Sequence, residues 1–174
     1  GNGPELEMLT FRWMSRLLVG AAFGLAAVSA AEPHAEFAIS FGSQHSSPAE
    51  IEIVGRLTNL SARALTLKNR FYLGSDIGVA VVDAKGSPLP LLPPAPPPPL
   101  RRDDFVELAP GESIERSIGQ LDRMLSRPLD PGTYRISARY TGSSGAELGL
   151  DAYHGELVSN ELTLFLRQEI NSEE

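Results

Sequence analysis

From residue 35 onward, apolar side chains recur at every second position along much of this chain. Phe37, Ile39 and Phe41 show the pattern first, and it returns at residues 134–140 and 162–166. Because successive side chains of a strand point to opposite faces of a sheet, this spacing predicts half-buried β-strands. The spacing of an amphipathic helix is missing from the same region, apart from a turn or two around residues 120–125. We therefore expect an all-β protein.

Turn-forming residues separate the predicted strands, for example at residues 85–88, 109–111 and 130–132. They leave about seven or eight short strands with no helices between them. Strands of this length and spacing favour an immunoglobulin-like antiparallel β-sandwich. The chain has 174 residues, which suits a single domain; we place it at residues 32–174.

The sequence LDPGTY, which ends at Tyr134, has the form of a tyrosine corner. In that feature a tyrosine near the start of a late strand bonds its hydroxyl to nearby upstream backbone. Pro131 and Gly132 supply the tight turn, proline by fixing its φ and glycine by tolerating positive φ. The alternative is an ordinary proline-glycine turn before a strand.

Residues 1–31 are interpreted as a cleavable signal peptide. Arg12 and Arg16 form a basic start, an apolar run follows, and small residues end the segment at Ala30 and Ala31, where we expect cleavage. A membrane anchor is the rival interpretation, but residues 17–31 fall short of the roughly 20 apolar residues that a spanning helix needs. Residues 1–7 are acidic where a signal is basic, so we interpret them as an expression remnant or an upstream start. The expected location is periplasmic or secreted, without stable membrane insertion.

Composition excludes several classes of function. The chain has no cysteine, which removes disulfides, thiolate metal sites and cysteine nucleophiles. Its formal net charge is -7, which gives no reason to expect nucleic-acid binding, because such binders need a positive surface against phosphate. No Gly-x-Ser-x-Gly or His-Glu-x-x-His sequence occurs. Asp151, His154 and Glu156 lie close in sequence but are interpreted as a solvated loop, so we expect no cofactor, no metal and no enzyme activity.

The most unusual segment spans residues 88–102 and contains eight of the 14 prolines. Proline fixes φ and removes the backbone donor, so the segment is expected to be polyproline II and not a strand. One interpretation is a stiff crossover between strands of different sheets. The other is a loop presented to a protein partner. The predicted partner-binding residues are Pro93, Pro94, Pro96, Pro97, Pro98, Pro99, Leu100, Arg101 and Arg102.

Residues 59–61, Asn-Leu-Ser, fit both a glycosylation sequon and a plain turn between two strands. We favour the turn.

Four segments carry a family resemblance: residues 57–61, 104–113, 129–136 and 159–162. They resemble exported bacterial immunoglobulin-like sandwich modules, and in particular the β-domain that precedes the catalytic domain of deuterolysin-like (aspzincin) metallopeptidases. The resemblance spans roughly residues 50–166 and implies a fold, not a chemistry. Since the zinc-binding motif of those enzymes is missing, it implies a module without the enzyme.

These observations predict an exported, non-enzymatic protein-interaction or structural module with an unidentified protein partner. The alternative function is an inhibitor or propeptide-like regulator of an extracellular protease, which would present a rigid loop to the enzyme's cleft.

Overall fold

The computed structural model describes residues 34–42 and 50–167. The predicted signal peptide lies outside these residues. The described part contains nine strands and one short α-helix: β1 (Ala35–Phe41), β2 (Glu52–Asn59), β3 (Leu65–Lys68), β4 (Ile77–Val82), β5 (Phe105–Leu108), β6 (Ser113–Gln120), α1 (Leu121–Met124), β7 (Gly132–Thr141), β8 (Glu156–Val158) and β9 (Leu162–Leu166). Single turns of 3-10 helix occupy Arg102–Asp104 and Ala146–Leu148.

The strands form two main sheets and a two-stranded ribbon, and all their ladders are antiparallel. The first sheet has the order β1-β2-β6. In the second, β7 is central, with β4 on one side and both β8 and β9 on the other. The ribbon pairs β3 with β5. The prediction of an all-β antiparallel sandwich is confirmed.

The strand count differs from the predicted seven or eight because the last strand is divided in two. β8 pairs with the end of β7 and β9 with its beginning, so both run along the same neighbour. At the break, the Ser159 hydroxyl accepts a hydrogen bond from the Ala138 amide at 2.9 Å. The alternation of β9 was visible in the sequence, whereas β8 has only three residues, too few to show a period.

The main core lies between the two sheets and follows the alternation seen in the sequence. Its largest fully buried side chains include Ile53 and Leu57 from the first sheet and Ile77, Ile136 and Tyr140 from the second. Burial of aliphatic side chains such as these contributes about 1.5–3 kcal/mol each. A smaller cluster around Leu65, Leu67 and Leu108 supports the ribbon.

Three polar side chains fix the ends and edges of the sandwich. Tyr134 donates its hydroxyl to the Asp130 carbonyl at 2.7 Å, the contact that defines a tyrosine corner. Asn59 is fully buried, and its amide nitrogen donates to the carbonyls of Arg63 and Leu108; this geometry fits the turn and not an accessible sequon. Asn160 pairs with both the amide and the carbonyl of Ile39 in β1.

Among the described residues, no helix has the length and apolar character needed to cross a membrane.

Candidate functional site

The proline-rich segment, residues 88–102, connects β4 of the second sheet to β5 of the ribbon. Its first part is anchored by backbone hydrogen bonds. The Leu89 amide donates to Val81 at 2.8 Å, the Leu92 amide donates to Met124 at 2.8 Å, and the Pro90 carbonyl accepts from the Ser126 amide at 3.1 Å. The segment therefore begins as a crossover fastened to the end of β4 and to α1.

Between this segment and the body of the domain lies an apolar groove with a volume of about 570 Å³. We call it the proline groove. One wall is formed by residues 71–74 and 77–79, the other by residues 91–95, and Ile118, Arg123 and Met124 complete it. Leu92 stands on the second wall with 50% of its surface exposed. Since most of the lining is apolar and part of it is open, the groove has the composition of a binding site.

The two walls touch at Gly74 and Pro94. Gly74 has φ +90°, a conformation that favours glycine, and a Cβ built on it would overlap the ring of Pro94. Glycine is therefore required both by the backbone angle and by the close approach of the proline. This contact sets the distance between the walls at one end of the groove.

Behind the first wall lies a buried ionic cluster centred on Asp76, of which only 1% is exposed. Its carboxylate accepts from Lys68 Nζ at 2.8 Å, from Arg70 Nε at 2.7 Å and from the Tyr72 amide at 3.0 Å. Lys68 is itself 4% exposed, so its ammonium group is buried together with this partner. The cluster holds the connection between β3 and β4, residues 69–76, against the ribbon.

Arg70 links the ionic cluster to the proline-rich segment. While its Nε binds Asp76, its Nη1 donates to the carbonyl of Pro98 at 2.8 Å and lies 3.6 Å from Asp104 Oδ2. A planar guanidinium is suited to this because its donors point in fixed and different directions. Both connections that form the groove are thereby fastened to one side chain.

The pKa shifts of Asp76 and Arg70 are those expected of a buried ion pair that stabilises the fold. Burial by itself would raise the pKa of Asp76, but hydrogen bonds from Arg70, Lys68 and the Tyr72 amide lower it below its ordinary value. The hydrogen bond to Asp76 likewise raises the pKa of Arg70. Nearby, burial raises the pKa of the Tyr140 hydroxyl, which donates to the Lys68 carbonyl at 2.9 Å. The groups are charged and paired, and Asp76 is closed to a ligand.

The predicted partner-binding residues divide into three groups. Pro93 and Pro94 line the proline groove. The next four prolines and Arg101 are exposed, and Leu100 is half-buried. Arg102 is exposed but donates from Nη2 to the Leu148 carbonyl at 2.5 Å, so its guanidinium is engaged within the chain. The structure thus places the first of these residues on a groove and the rest along an exposed surface; their role in binding stays a prediction.

Several residues of the groove carry no sequence motif that would predict a binding site. Arg123 and Met124 belong to α1, and residues 71–74 belong to a connection that carries no recognisable motif. They reach the proline-rich segment only through tertiary packing. The apolar character of Leu91 and Leu92 was the one available signal, because an apolar loop is expected to pack on the domain.

The polar loop containing Asp151 and His154 lies on a second cavity of about 750 Å³, beside β3. Glu156, the third member of the sequence cluster, faces Arg139 with 3.4 Å between Oε2 and Nη1. Within residues 34–42 and 50–167, no three histidine or acidic side chains are arranged to hold a metal ion.

Comparisons with known proteins add little to this geometry. No family of known proteins matches the chain, and neither does any curated protein. Six chains of solved structures show similarity. One is the X-ray structure of the Northeast Structural Genomics Consortium target SoR45, which is 15% identical, with 81% of this chain and 92% of that chain covered and a TM-score of 0.35. A likeness at that level carries no argument about function, and the resemblance to the β-domains of deuterolysin-like peptidases stays a prediction.

Proposed function

We propose that this chain is an exported, non-enzymatic protein-interaction module that binds its partner at the proline groove and the exposed prolines beside it. The observation that carries the proposal is the groove itself, an apolar recess whose two walls are both held in place before any partner arrives.

Two features of this site support binding, namely its pre-organisation and its exposed apolar area. Proline fixes φ, and the Leu92, Pro94 and Pro98 contacts fasten the segment to the domain. A surface that is already ordered loses less conformational entropy when a partner docks. The exposed apolar area of Leu92 and the neighbouring prolines then provides a favourable contribution on burial.

The test is to replace residues 93–99 by a Gly-Ser segment of equal length. Wild type and variant, each immobilised as the mature protein, are exposed to an extract of exported proteins from the source cells. We expect a protein retained by the wild type to be lost from the variant, because the variant lacks Pro93, Pro94 and Ala95 of one groove wall. Circular dichroism and the urea midpoint establish that the variant is folded.

Equal retention by both proteins would contradict the proposal and would move the binding surface to the sheet faces. A matched control replaces Ala84 and Lys85, in an exposed turn outside the groove, by Gly and Ser. That change leaves both walls intact, so retention should be unaffected.

A protease is the second candidate partner. The observation in its favour is that the four prolines at 96–99 are exposed while Arg70 holds the Pro98 carbonyl, which makes a stiff exposed loop. Extracellular serine and metalloproteases assayed with excess mature protein should then lose activity, and the Gly-Ser variant should restore it. Unchanged protease activity across the panel would contradict the proposal that this protein is a protease inhibitor.

Export is proposed from the basic, apolar and small-residue order of residues 11–31. Amino-terminal sequencing of material from the culture fluid or periplasm should begin at Ala31 or Glu32. A protein retained in the membrane fraction with Met8 or Met14 at or near its start would contradict the signal-peptide interpretation.

A further inference from the structure

One cation stands in the otherwise apolar lining of the proline groove. Of the described residues that line it, only Arg123 carries a charge. Arg123 is exposed, and among residues 34–42 and 50–167 no carboxylate lies within ion-pair distance of it. Two other arginines have such partners: Arg70, behind the first wall, binds Asp76, and Arg139, in β7 of the second sheet, faces Glu156. A guanidinium beside an apolar recess favours an occupant with a carboxylate.

The occupant must place that carboxylate next to an apolar group. No single internal residue does so, because an aspartate or glutamate side chain carries its carboxylate in place of an apolar group. The last residue of a polypeptide does, since its free carboxylate and its own side chain leave the same Cα. An apolar C-terminal residue therefore matches both halves of the groove.

The open side of the groove favours a polypeptide over a small molecule. Leu92 remains 50% exposed, and Gly74, Gly78 and residues 93–95 are exposed as well. Small-molecule sites enclose about 70–90% of their ligand. A groove this open needs an occupant that continues outside it and covers the rim, as a chain terminus attached to a larger partner does.

We infer that the proline groove binds the C-terminal residue of a partner polypeptide, with an apolar side chain between the two walls and the terminal carboxylate on Arg123. This inference rests on the proposed function and names the occupant of the same site. Tyr72 also lines the groove, and the guanidinium carbon of Arg70 lies 5.9 Å from the centroid of its ring.

The experiment uses the mature protein and a pool of synthetic peptides that share a Gly-Ser leader and vary at their last four positions, all with free carboxylates. Peptides retained by the immobilised protein are identified by mass spectrometry. We expect enrichment of leucine, isoleucine, valine, phenylalanine or methionine at the last position. The most enriched peptide, remade with a C-terminal amide, should bind about tenfold more weakly in fluorescence polarisation, because the charge-assisted contact is lost.

Two variants locate the contact, each with a matched control. Arg123→Gln should weaken the free-acid peptide about tenfold and leave the amide unchanged, whereas Arg127→Gln, an exposed arginine outside the groove, should alter neither. Leu92→Glu places a competing carboxylate on the groove wall and should abolish binding. Leu60→Glu, at a leucine with similar exposure outside the groove, should not.

Three results would overturn the inference: no enrichment at the last position, equal affinity for acid and amide, or loss on Arg127→Gln equal to that on Arg123→Gln. Decanoate and octanoate are titrated in parallel, and binding of these free acids without any peptide would assign the groove to a small carboxylic acid instead. The outcome is separable from the proposed function. If the Gly-Ser replacement of residues 93–99 abolishes partner capture while no C-terminal peptide binds, the interaction module stands and only the occupant named here is wrong.

Discussion

The two connections on either side of β4 are held in place by opposite means. The connection before it, residues 69–76, is fixed by a buried carboxylate that binds a lysine, an arginine and a backbone amide. The connection after it, residues 83–101, is fixed mainly by proline rings and backbone hydrogen bonds, with one side-chain bond from Arg70 to the Pro98 carbonyl. In the first connection the polar groups bind one another, whereas the second connection leaves apolar side chains exposed to solvent.

This difference distinguishes a connection that supports the fold from the connection that we propose as the binding surface. A paired, buried charge resists change, since removal of one partner leaves the other unsatisfied in the interior. Polyproline needs no such partner, because its stiffness is covalent, so its side chains remain free to meet another molecule. The ionic connection thus acts as a support, and the proline-rich connection is the surface that we propose for binding. Four changes test the contrast.

The largest effect is expected from Asp76→Asn. Lys68 is 4% exposed and would lose its counter-charge, so the free energy of unfolding should fall by about 3 kcal/mol. Urea denaturation measures the change. Asp103→Asn is the matched control, because this aspartate is exposed, and it should stay within about 0.5 kcal/mol of wild type. Equal losses of unfolding free energy in both variants would show that the buried cluster around Asp76 makes no specific contribution to stability.

Gly74→Ala should have the next largest effect, a loss of about 2 kcal/mol, because alanine is strained at this positive φ and meets Pro94. Gly78→Ala is the control. A methyl group on Gly78 would have no neighbour within 4 Å, and the backbone there is not left-handed, so alanine should be neutral or stabilising by about 0.5 kcal/mol. If both substitutions are neutral, the walls of the groove are not in contact at Gly74.

Arg70→Lys examines whether the two connections depend on one another. Lysine keeps the charge but cannot reach both Asp76 and the Pro98 carbonyl in the arginine geometry, and we expect a loss of about 1 kcal/mol. Hydrogen exchange of the Leu92 amide should accelerate as the proline-rich segment loosens. Arg135→Lys, in an exposed pair with Glu161, is the control and should leave that exchange rate unchanged.

Acid should produce the smallest effect, and we follow it through the Asp76 carboxylate of the first connection. The pKa of Asp76 is lowered in the folded state from its ordinary value of 3.8. Its contribution is therefore complete above that value and is lost as the pH falls toward the folded-state pKa. The gap in urea midpoint between wild type and Asp76→Asn should narrow over this range. A gap that stays constant down to the lowest pH would show that Asp76 does not take up a proton there.

Sequence reasoning succeeded where the determining interaction is local. The alternation of Phe37, Ile39 and Phe41 predicted β1, and residues 129–134 led to the Tyr134–Asp130 hydrogen bond, because partners four residues apart are joined by the turn itself. It failed where partners are distant. Asp76 lies eight residues from Lys68, and Arg123 lies about thirty from the proline wall it faces. No spacing pattern or motif in the sequence relates such residues, so the ionic cluster and half of the groove can be identified only in the folded structure.

Asn160 has a consequence for how the protein behaves at high concentration. Its side-chain amide occupies the amide and carbonyl of Ile39 that face away from β2, with distances of 2.8 and 3.0 Å. Those two groups are where a strand of another molecule would begin to pair with the edge of the first sheet. A single primary amide, which has the hydrogen-bonding groups of a peptide bond without the chain, thus terminates the sheet there. It guards β1 against edge-to-edge aggregation without adding a charge or a proline to the strand.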